Sequence, residues 1–313
     1  MKYTQRRRML LSFFLCLCLL TTGCHATEET SVDQSLPAST EQKAVVRDGT
    51  PLVLKPVADG TKTYSCDVAA IDASNTCEGY LMVSYTGSNP KVKLQITGPD
   101  DTTYTYNLHG GYEVFPLTAE SGSYRVCVFE NVSGNQYSTV FSKDISVQIT
   151  NVFGPYLYPN QYVNFTEDSP AIAEAARIAK ASDDELDIVS NIYNYIIDNF
   201  TYDYDKATSV ESGYVPVIDE VFANRRGICF DYASVMAAML RSQQIPTRLE
   251  VGYIGESYHA WISIYIQEIG WINGIIAFDG KRWNLMDPTF ASTSQSPRNF
   301  ITDNSQYITK YVY

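Results

Sequence analysis

Residues 226–233 read Arg226-Gly227-Ile228-Cys229-Phe230-Asp231-Tyr232-Ala233. Gly227 lets the backbone turn, and Ala233, Met236, Ala237 and Leu240 then recur on one face of a helix that stops at Gln244-Ile245-Pro246. Cys229 falls in the first turn of that helix. There the unpaired N–H groups and the positive end of the helix dipole favour a thiolate over a thiol. Asp231, two residues on, suits a helix cap better than a catalytic acid. Arg225 and Arg226 could add positive charge, but they read more simply as solvated residues closing the preceding helix.

Working outward, residues 247–254 and 258–266 alternate as two strands joined by Gly255-Glu256-Ser257. His259, in Tyr258-His259-Ala260-Trp261, opens the second, with Trp261 and Ile264 directed to the core. Asp279-Gly280-Lys281 is a hairpin signal. The run beyond it, Trp283-Asn284-Leu285-Met286-Asp287-Pro288-Thr289, places Asp287 at a strand end. A thiol, an imidazole and a carboxylate in separate elements are what acyl transfer through a thioester requires. Taken one at a time, a buried cysteine, a core histidine and a turn aspartate would be ordinary. The chain has one cysteine and one histidine after residue 156, which narrows the assignment to Cys229 and His259.

These three segments resemble the signature blocks of the transglutaminase-like superfamily, in the expected order, over about residues 170–291. The resemblance implies a papain-like α+β core with the cysteine on a helix and the histidine and aspartate on adjacent strands. It further implies Cys229 as nucleophile, His259 as general base and acid, and Asp287 as the residue orienting the imidazole. The oxyanion would be met by the Cys229 N–H, with Tyr202 or Tyr204 as candidate side-chain donors. Water as acceptor would make the protein a peptidase or amidase, and a lysine amine would make it a crosslinking transglutaminase. Relatives that have lost the triad point to a non-catalytic peptide- or glycan-binding module, and a surface adhesion subunit is a third reading. The chemistry needs no cofactor, and no oxygen-ligand loop for calcium or other metal site is evident.

Upstream, the pattern differs. Leu81, Val83 and Tyr85, then Val92, Leu94 and Ile96, then Tyr124, Val126 and Val128 alternate with polar residues at period two. Gly87-Ser88-Asn89-Pro90, Gly98-Pro99-Asp100-Asp101, Gly110-Gly111 and Ser121-Gly122-Ser123 separate the runs. Residues 51–150 therefore read as an antiparallel β-sandwich of immunoglobulin-like type, with His109 exposed in a turn. Residues 151–168, with Gly154-Pro155 and Pro159-Asn160, read as a linker. In the core of 169–313, Ser169-Pro170 opens a helix to about Ala181. Ser182-Asp183-Asp184-Glu185 reads as a capping box for a second helix, whose stripe is Leu186, Val189, Ile192, Tyr193, Ile196 and Ile197. A short helix covers about 217–224.

The first 23 residues have the form of a signal peptide. Lys2, Arg6, Arg7 and Arg8 precede an apolar stretch of 12 residues, Met9 to Leu20, too short to span a bilayer. Leu20-Thr21-Thr22-Gly23-Cys24 resembles a bacterial lipobox, which implies lipid on Cys24 and a protein held at the outer face of a membrane. Residues 24–50, rich in Ser, Thr, Glu and Gln, read as a flexible tether. Removing residues 1–23 takes away four basic residues and no acidic one, shifting the formal charge from −12 to −16. So acidic a chain has no electrostatic basis for holding nucleic acid. The expected partners are a protein or peptide substrate, cell-wall peptide among the candidates, and the membrane. Cys66, Cys77 and Cys127 leave disulfide pairing open in an exported protein; the simplest reading makes them small buried hydrophobes.

Overall fold

The computed structural model describes residues 48–267, 269–273, 276–278, 283–285 and 307–313. The signal-peptide segment, Cys24, most of the tether, the Asp279-Gly280-Lys281 turn and Asp287 lie outside the described residues. The described residues fall in one compact unit.

Eight strands occupy the first part: β1 (Thr63–Ser65), β2 (Ala69–Asp72), β3 (Tyr80–Tyr85), β4 (Val92–Thr97), β5 (Thr103–Leu108), β6 (Glu113–Pro116), β7 (Gly122–Ser133) and β8 (Gln136–Val147). They form two four-stranded antiparallel sheets, in the orders β1-β2-β3-β6 and β5-β4-β7-β8. The alternating residues set the register. Leu94, Ile96, Val126 and Val128 of one sheet and Ile71, Leu81, Val83 and Phe115 of the other are fully buried in a common core. Tyr106 and Phe115 meet across the sheets at 4.7 Å. β3 departs from simple alternation, because its second face is covered too: Tyr80 packs on Tyr158 at 4.7 Å and accepts a hydrogen bond from Val57 N–H.

The stretch 151–168 has the glycines and prolines of a linker but packs as core. It contains a 3-10 turn, Gly154–Tyr156, and buries Tyr156, Tyr162, Val163 and Phe165. Gly154 is required by close approach, since a Cβ there would lie 1.8 Å from the Glu78 carbonyl oxygen. Asn160 Oδ1 accepts from the Tyr162 and Val163 N–H groups at 3.1 and 3.0 Å. The extended chain before β1 likewise crosses to the helical part, where Leu52 N–H donates to the Ser242 carbonyl at 2.8 Å.

The second part contains α1 (Pro170–Lys180), α2 (Glu185–Asn199), β9 (Thr201–Tyr202), α3 (Tyr204–Ser209), α4 (Ile218–Asn224), β10 (Arg226–Gly227), α5 (Cys229–Ser242), β11 (Thr247–Ile254), β12 (Ser257–Ile266), β13 (Gly270–Ile272), β14 (Ile276–Phe278), β15 (Trp283–Leu285) and β16 (Tyr307–Val312). Ser169 is the N-cap of α1, with Pro170 in the first turn. The second cap sits two residues later than the Ser182 motif suggests. Asp184 accepts from Asp187 N–H at 2.8 Å, while the Ser182 hydroxyl turns back to donate to the Ile178 carbonyl and finishes α1. In α2 the buried stripe is Ile188, Val189, Ile192, Tyr193 and Ile196, with Leu186 and Ile197 only partly covered.

Helix α5 is buried on every side from Asp231 to Ser242, as befits a helix apolar nearly all round. It packs against α1, α2 and α4 and against the sheet β13-β12-β11-β16. β14 and β15 form a separate antiparallel pair, Phe278 opposite Trp283. At the end of α5 the Arg241 guanidinium, fully buried, is satisfied by main-chain oxygens. It donates to Thr247 from Nε and Nη2 at 3.0 and 2.8 Å, to Tyr158 at 2.9 Å and to Tyr313 at 2.8 Å. Desolvation pulls its pKa down to about 9, so it carries its charge at neutral pH.

Tyrosines bind the sheets to this core. Tyr313 stacks edge-on to Tyr162 at 4.6 Å, to Tyr104 at 5.5 Å and to Tyr106 at 6.0 Å. Desolvation pushes the Tyr162 phenol up to about 12 and those of Tyr106 and Tyr313 well above their ordinary range. In the unfolded chain these phenols lose their protons near pH 10. The unfolded state therefore binds fewer protons than the folded one above that pH, and stability falls as pH rises from about 10 through 12. Absorbance at 295 nm should show the exposed tyrosines ionising near pH 10 and the buried set only together with loss of near-ultraviolet circular dichroism. Ionisation of all 24 tyrosines near pH 10 with the fold intact would contradict this packing.

Candidate active site

The site is built around the entry to α5. Residue Arg225 ends α4 in the left-handed region at φ 49°, and the short β10 pairs in parallel with β9, setting Gly227 beside Tyr202. Gly227 does more than turn the chain. A Cβ there would fall 2.5 Å from Asp231 Cβ, so only glycine lets the Asp231 side chain fold back over the helix start. Asp231, 0% exposed, accepts from the Ile228 N–H at 2.8 Å through Oδ2. The same carboxylate takes Lys206 Nζ at 2.7 Å and the Tyr214 hydroxyl at 2.5 Å. Asp231 thus acts as a cap, and its burial is offset by a cation and a phenol. Burial and the Asp231 carboxylate together hold the Tyr214 phenol well above its ordinary pKa, so it remains a donor.

Cys229, half-buried, opens α5 where its own N–H has no intrahelical acceptor. His259, 8% exposed, is the third residue of β12 and lies opposite Gly252 of β11, its ring 6.4 Å from that of Trp261. Gly252 admits no side chain, because a Cβ would lie 2.0 Å from the Ile308 carbonyl oxygen of β16. Cys229 and His259 line one cleft of about 520 Å³, together with Tyr202, Tyr162, Tyr258 and Tyr313. The loop 210–214 forms its rim. The Tyr258 phenol is pushed up by desolvation first, then by Tyr311, Tyr253 and the nearby Cys229 sulfur.

The other anticipated residues are placed as follows. Tyr202 is on the cleft wall. Tyr204 is not: as the first residue of α3, after the Asp203 N-cap, it turns outward and is 62% exposed, with its ring against Tyr202 at 5.0 Å. Arg226 is engaged by Asp203 at 2.9 Å and Asp205 at 3.5 Å, on the outer side of the β9–β10 pair. Asp287, two residues past β15, lies outside the described residues. His109 is exposed and pairs with Glu113 at 3.1 Å. Among the described residues no group of three or more His, Cys, Asp or Glu side chains is placed to hold a metal ion. Cys66, Cys77 and Cys127 are free thiols. Cys66 and Cys77 are exposed rather than buried, since one follows the edge strand β1 and the other sits in the 3-10 turn Thr76–Glu78.

Sequence reasoning did not find Lys206, Tyr162, Tyr214 or Tyr313. Lys206 lies in the six-residue helix α3, too short to show a periodicity, and Tyr214 in the loop after it, while the other two come from segments far from residue 229. Their one signal is the abundance of tyrosine in a chain with 24 of them, which does not say which ones converge.

With this geometry in place, residues 172–274 match the model of the transglutaminase-like superfamily. The chain carries a transglutaminase-like core domain. It is 24% identical over 183 residues to the uncharacterized protein YebA of Bacillus subtilis, covering 51% of this chain and 25% of that protein. It is 30% identical over 95 residues to the UPF0252 protein MJ1282 of Methanocaldococcus jannaschii, covering 26% and 27% respectively. The chain thus spans about a quarter of the length of these curated relatives. Among solved structures, the periplasmic domain of TgpA from Pseudomonas aeruginosa is similar over 65% of this chain and 91% of that one, at 16% identity and a TM-score of 0.35.

The Asp231 knot makes a direct prediction for the transglutaminase-like core. Asp231→Ala removes a cap and leaves Lys206 without its carboxylate, and should cost about 2–4 kcal/mol in urea denaturation. Alkylation of Cys229 by iodoacetamide should slow several-fold in the same variant, because the helix entry loses its anchor. Wild-type stability and reactivity together would show that the cap does not hold the thiol in place.

Proposed function

We propose that the protein is a thiol-dependent acyl-transfer enzyme acting on a peptide or glutamine carboxamide. The observation that carries this reading is that Cys229, at a helix N-terminus, and His259, on β12, line the same cleft. The imidazole takes the thiol proton, the sulfur attacks the carboxamide carbon, and the resulting tetrahedral oxyanion is met by the Cys229 N–H with Tyr202 as side-chain candidate. Collapse expels the amine, which takes the proton back from His259 and leaves a thioester. Water, deprotonated by the same imidazole, then releases the acid and restores the thiol. Asp287 would accept the second ring N–H of His259 and fix its tautomer. Both residues standing at the cleft favours this over a non-catalytic peptide- or glycan-binding module.

Crosslinking to a lysine amine in place of water is supported by one feature. Among the described lining residues Glu211 is the one carboxylate, and no lysine or arginine accompanies it. A rim of that sign draws a cationic acceptor. The deciding experiment follows alkylation of Cys229 against pH, by mass spectrometry, in the wild type and in His259→Ala. Alkylation near neutral pH is expected to be fast in the wild type and several-fold slower in the variant. A thiol of ordinary reactivity that ignores His259 would end the enzymatic reading.

We further propose that the chain works at the outer face of a bacterial membrane, anchored by lipid on Cys24, with exposed protein or cell-wall peptide as substrate. The Lys2–Arg8 basic cluster, the Met9–Leu20 run and Leu20-Thr21-Thr22-Gly23-Cys24 support this. Among the described residues no helix is long and apolar enough to cross a membrane. The two sheets would form an immunoglobulin-like sandwich. Its support is the strand order, in which β4 pairs with β7 and β3 with β6, so that neighbours in a sheet come from separated hairpins as in Greek-key sandwiches. Cells fed labelled palmitate should mark the wild-type protein and not Cys24→Ser. Equal labelling of the two would remove the anchor from this proposal.

A further inference from the structure

Acyl transfer needs a side-chain donor for the oxyanion beside the Cys229 N–H. Among the described residues five tyrosines line the cleft where it would act: Tyr162, Tyr202, Tyr214, Tyr258 and Tyr313. Their surroundings separate them. Tyr162 and Tyr313, 8% and 7% exposed, are packed into the wall against each other at 4.6 Å and against Tyr106 at 5.7 and 6.0 Å. The Tyr214 hydroxyl is spent on Asp231. Tyr202 lays its ring on those of Tyr204 and Tyr232, at 5.0 and 6.4 Å. Tyr258 is 59% exposed, and its hydroxyl has no hydrogen-bond partner among the described residues. It is the phenol of this wall that stands open to a molecule entering the cleft.

Its setting places this phenol beside the reacting atoms. Tyr258 is the second residue of β12, immediately before His259, so one strand carries both the donor and the general base. It stands opposite Tyr253 of β11, whose ring meets its own edge-on at 5.4 Å and limits its swing. The phenol lies within reach of the Cys229 charge: desolvation first, then Tyr311, Tyr253 and Cys229, hold its pKa above the ordinary range, so it keeps its proton at neutral pH. We propose that Tyr258 is the catalytic residue whose hydroxyl donates to the acyl oxyanion, across from the Cys229 N–H. The proposal rests on the acyl-transfer reading. As the sulfur bonds to the carbonyl carbon, the C=O electron pair moves to oxygen, where the Tyr258 O–H and the Cys229 N–H receive it. On collapse the pair returns, the C–N bond breaks, and the amine leaves with the proton held by His259. Tyr258 neither gains nor loses a proton, and its contribution is confined to the moment when the oxygen carries charge.

The test compares two reactions of the same sulfur in the full chain. p-Nitrophenyl acetate acylates Cys229 through a tetrahedral oxyanion, read as p-nitrophenolate release less that of Cys229→Ala. Iodoacetamide alkylates the thiol by displacing iodide, and no oxyanion forms. In Tyr258→Phe acylation should fall about a hundredfold, while alkylation and the thermal midpoint keep their wild-type values. Tyr202→Phe should change neither reaction. An equal fall of both reactions in Tyr258→Phe overturns the assignment, because it places the effect on the sulfur or on His259. A selective loss of acylation in Tyr202→Phe alone overturns it in favour of Tyr202. A wild-type thiol that alkylates fast and depends on His259, with normal acylation in Tyr258→Phe, removes Tyr258 and leaves the acyl-transfer reading standing. A wild-type thiol of ordinary reactivity, indifferent to His259→Ala, removes both.

Discussion

Arg241 is the constraint on which the rest of the structure depends. A fully buried guanidinium has five N–H donors to satisfy, and an interior offers few acceptors that are not already paired. Here they are the main-chain oxygens of Tyr158, Thr247 and Tyr313. Those three oxygens belong to the segment leaving the sheets, the start of β11 and the residue that follows β16. One side chain on α5 thereby fixes where the connecting segment, the central hairpin and the last strand stand relative to the helix that carries Cys229. A lysine would place one point charge there and could not meet three differently directed oxygens with a planar fork. The cost of burying the charge is met by main chain rather than by a carboxylate, which also fixes the chain path at each contact.

The opposite end of α5 is held by the complementary device. Asp231, buried at the N-terminus, faces the positive end of the dipole and the Ile228 N–H, and Lys206 with Tyr214 completes its shell. The helix is therefore anchored by a cation at its C-terminal end and an anion at its N-terminal end, each on the side its dipole favours. Cys229 inherits a fixed position from the second anchor. Tyr214 links that anchor to the loop 210–214 at the cleft rim, so the nucleophile and the rim share one support.

The sheets enter the same design through tyrosine. Tyr104 and Tyr106 of β5 pack on Tyr313, which lines the cleft beside Tyr162. Rings of this size bury much apolar area with few rotatable bonds, and they set neighbouring elements at fixed distances. The cleft wall is thus partly built from outside the transglutaminase-like core of residues 172–274. For that reason the sheet module and the core form one packed body rather than two units joined by a flexible connector.

Much of this was legible in residues 81–128 and 169–266, because local physics sets period and punctuation. Val92, Leu94 and Ile96 alternate as a half-buried strand must, Leu81, Val83 and Tyr85 mark a strand whose other face is covered as well, Ser169-Pro170 starts a helix, and Gly255-Glu256-Ser257 turns a hairpin. The Gly227–Cys229 turn and the His259 strand were visible for the same reason. The chain also declared, by holding one cysteine and one histidine after residue 156, which pair to examine. What the sequence could not state is who meets whom across distance. The glycines and prolines of 151–168 signal a linker, and only the packing of Tyr156, Tyr162 and Phe165 makes the stretch core. Asp184 rather than Ser182 caps α2, because Ser182 is drawn to the Ile178 carbonyl. Tyr204 turns to solvent while Tyr202 faces the cleft, a choice made by the β9–β10 pairing and not by their near-identical surroundings in sequence. Arg241, Lys206 and Tyr313 owe their roles to partners distant in sequence, 83 residues off for Arg241 and Tyr158 and further still for Tyr313 and Tyr104, and burial and hydrogen-bond satisfaction across such spans are settled only when the chain closes on itself.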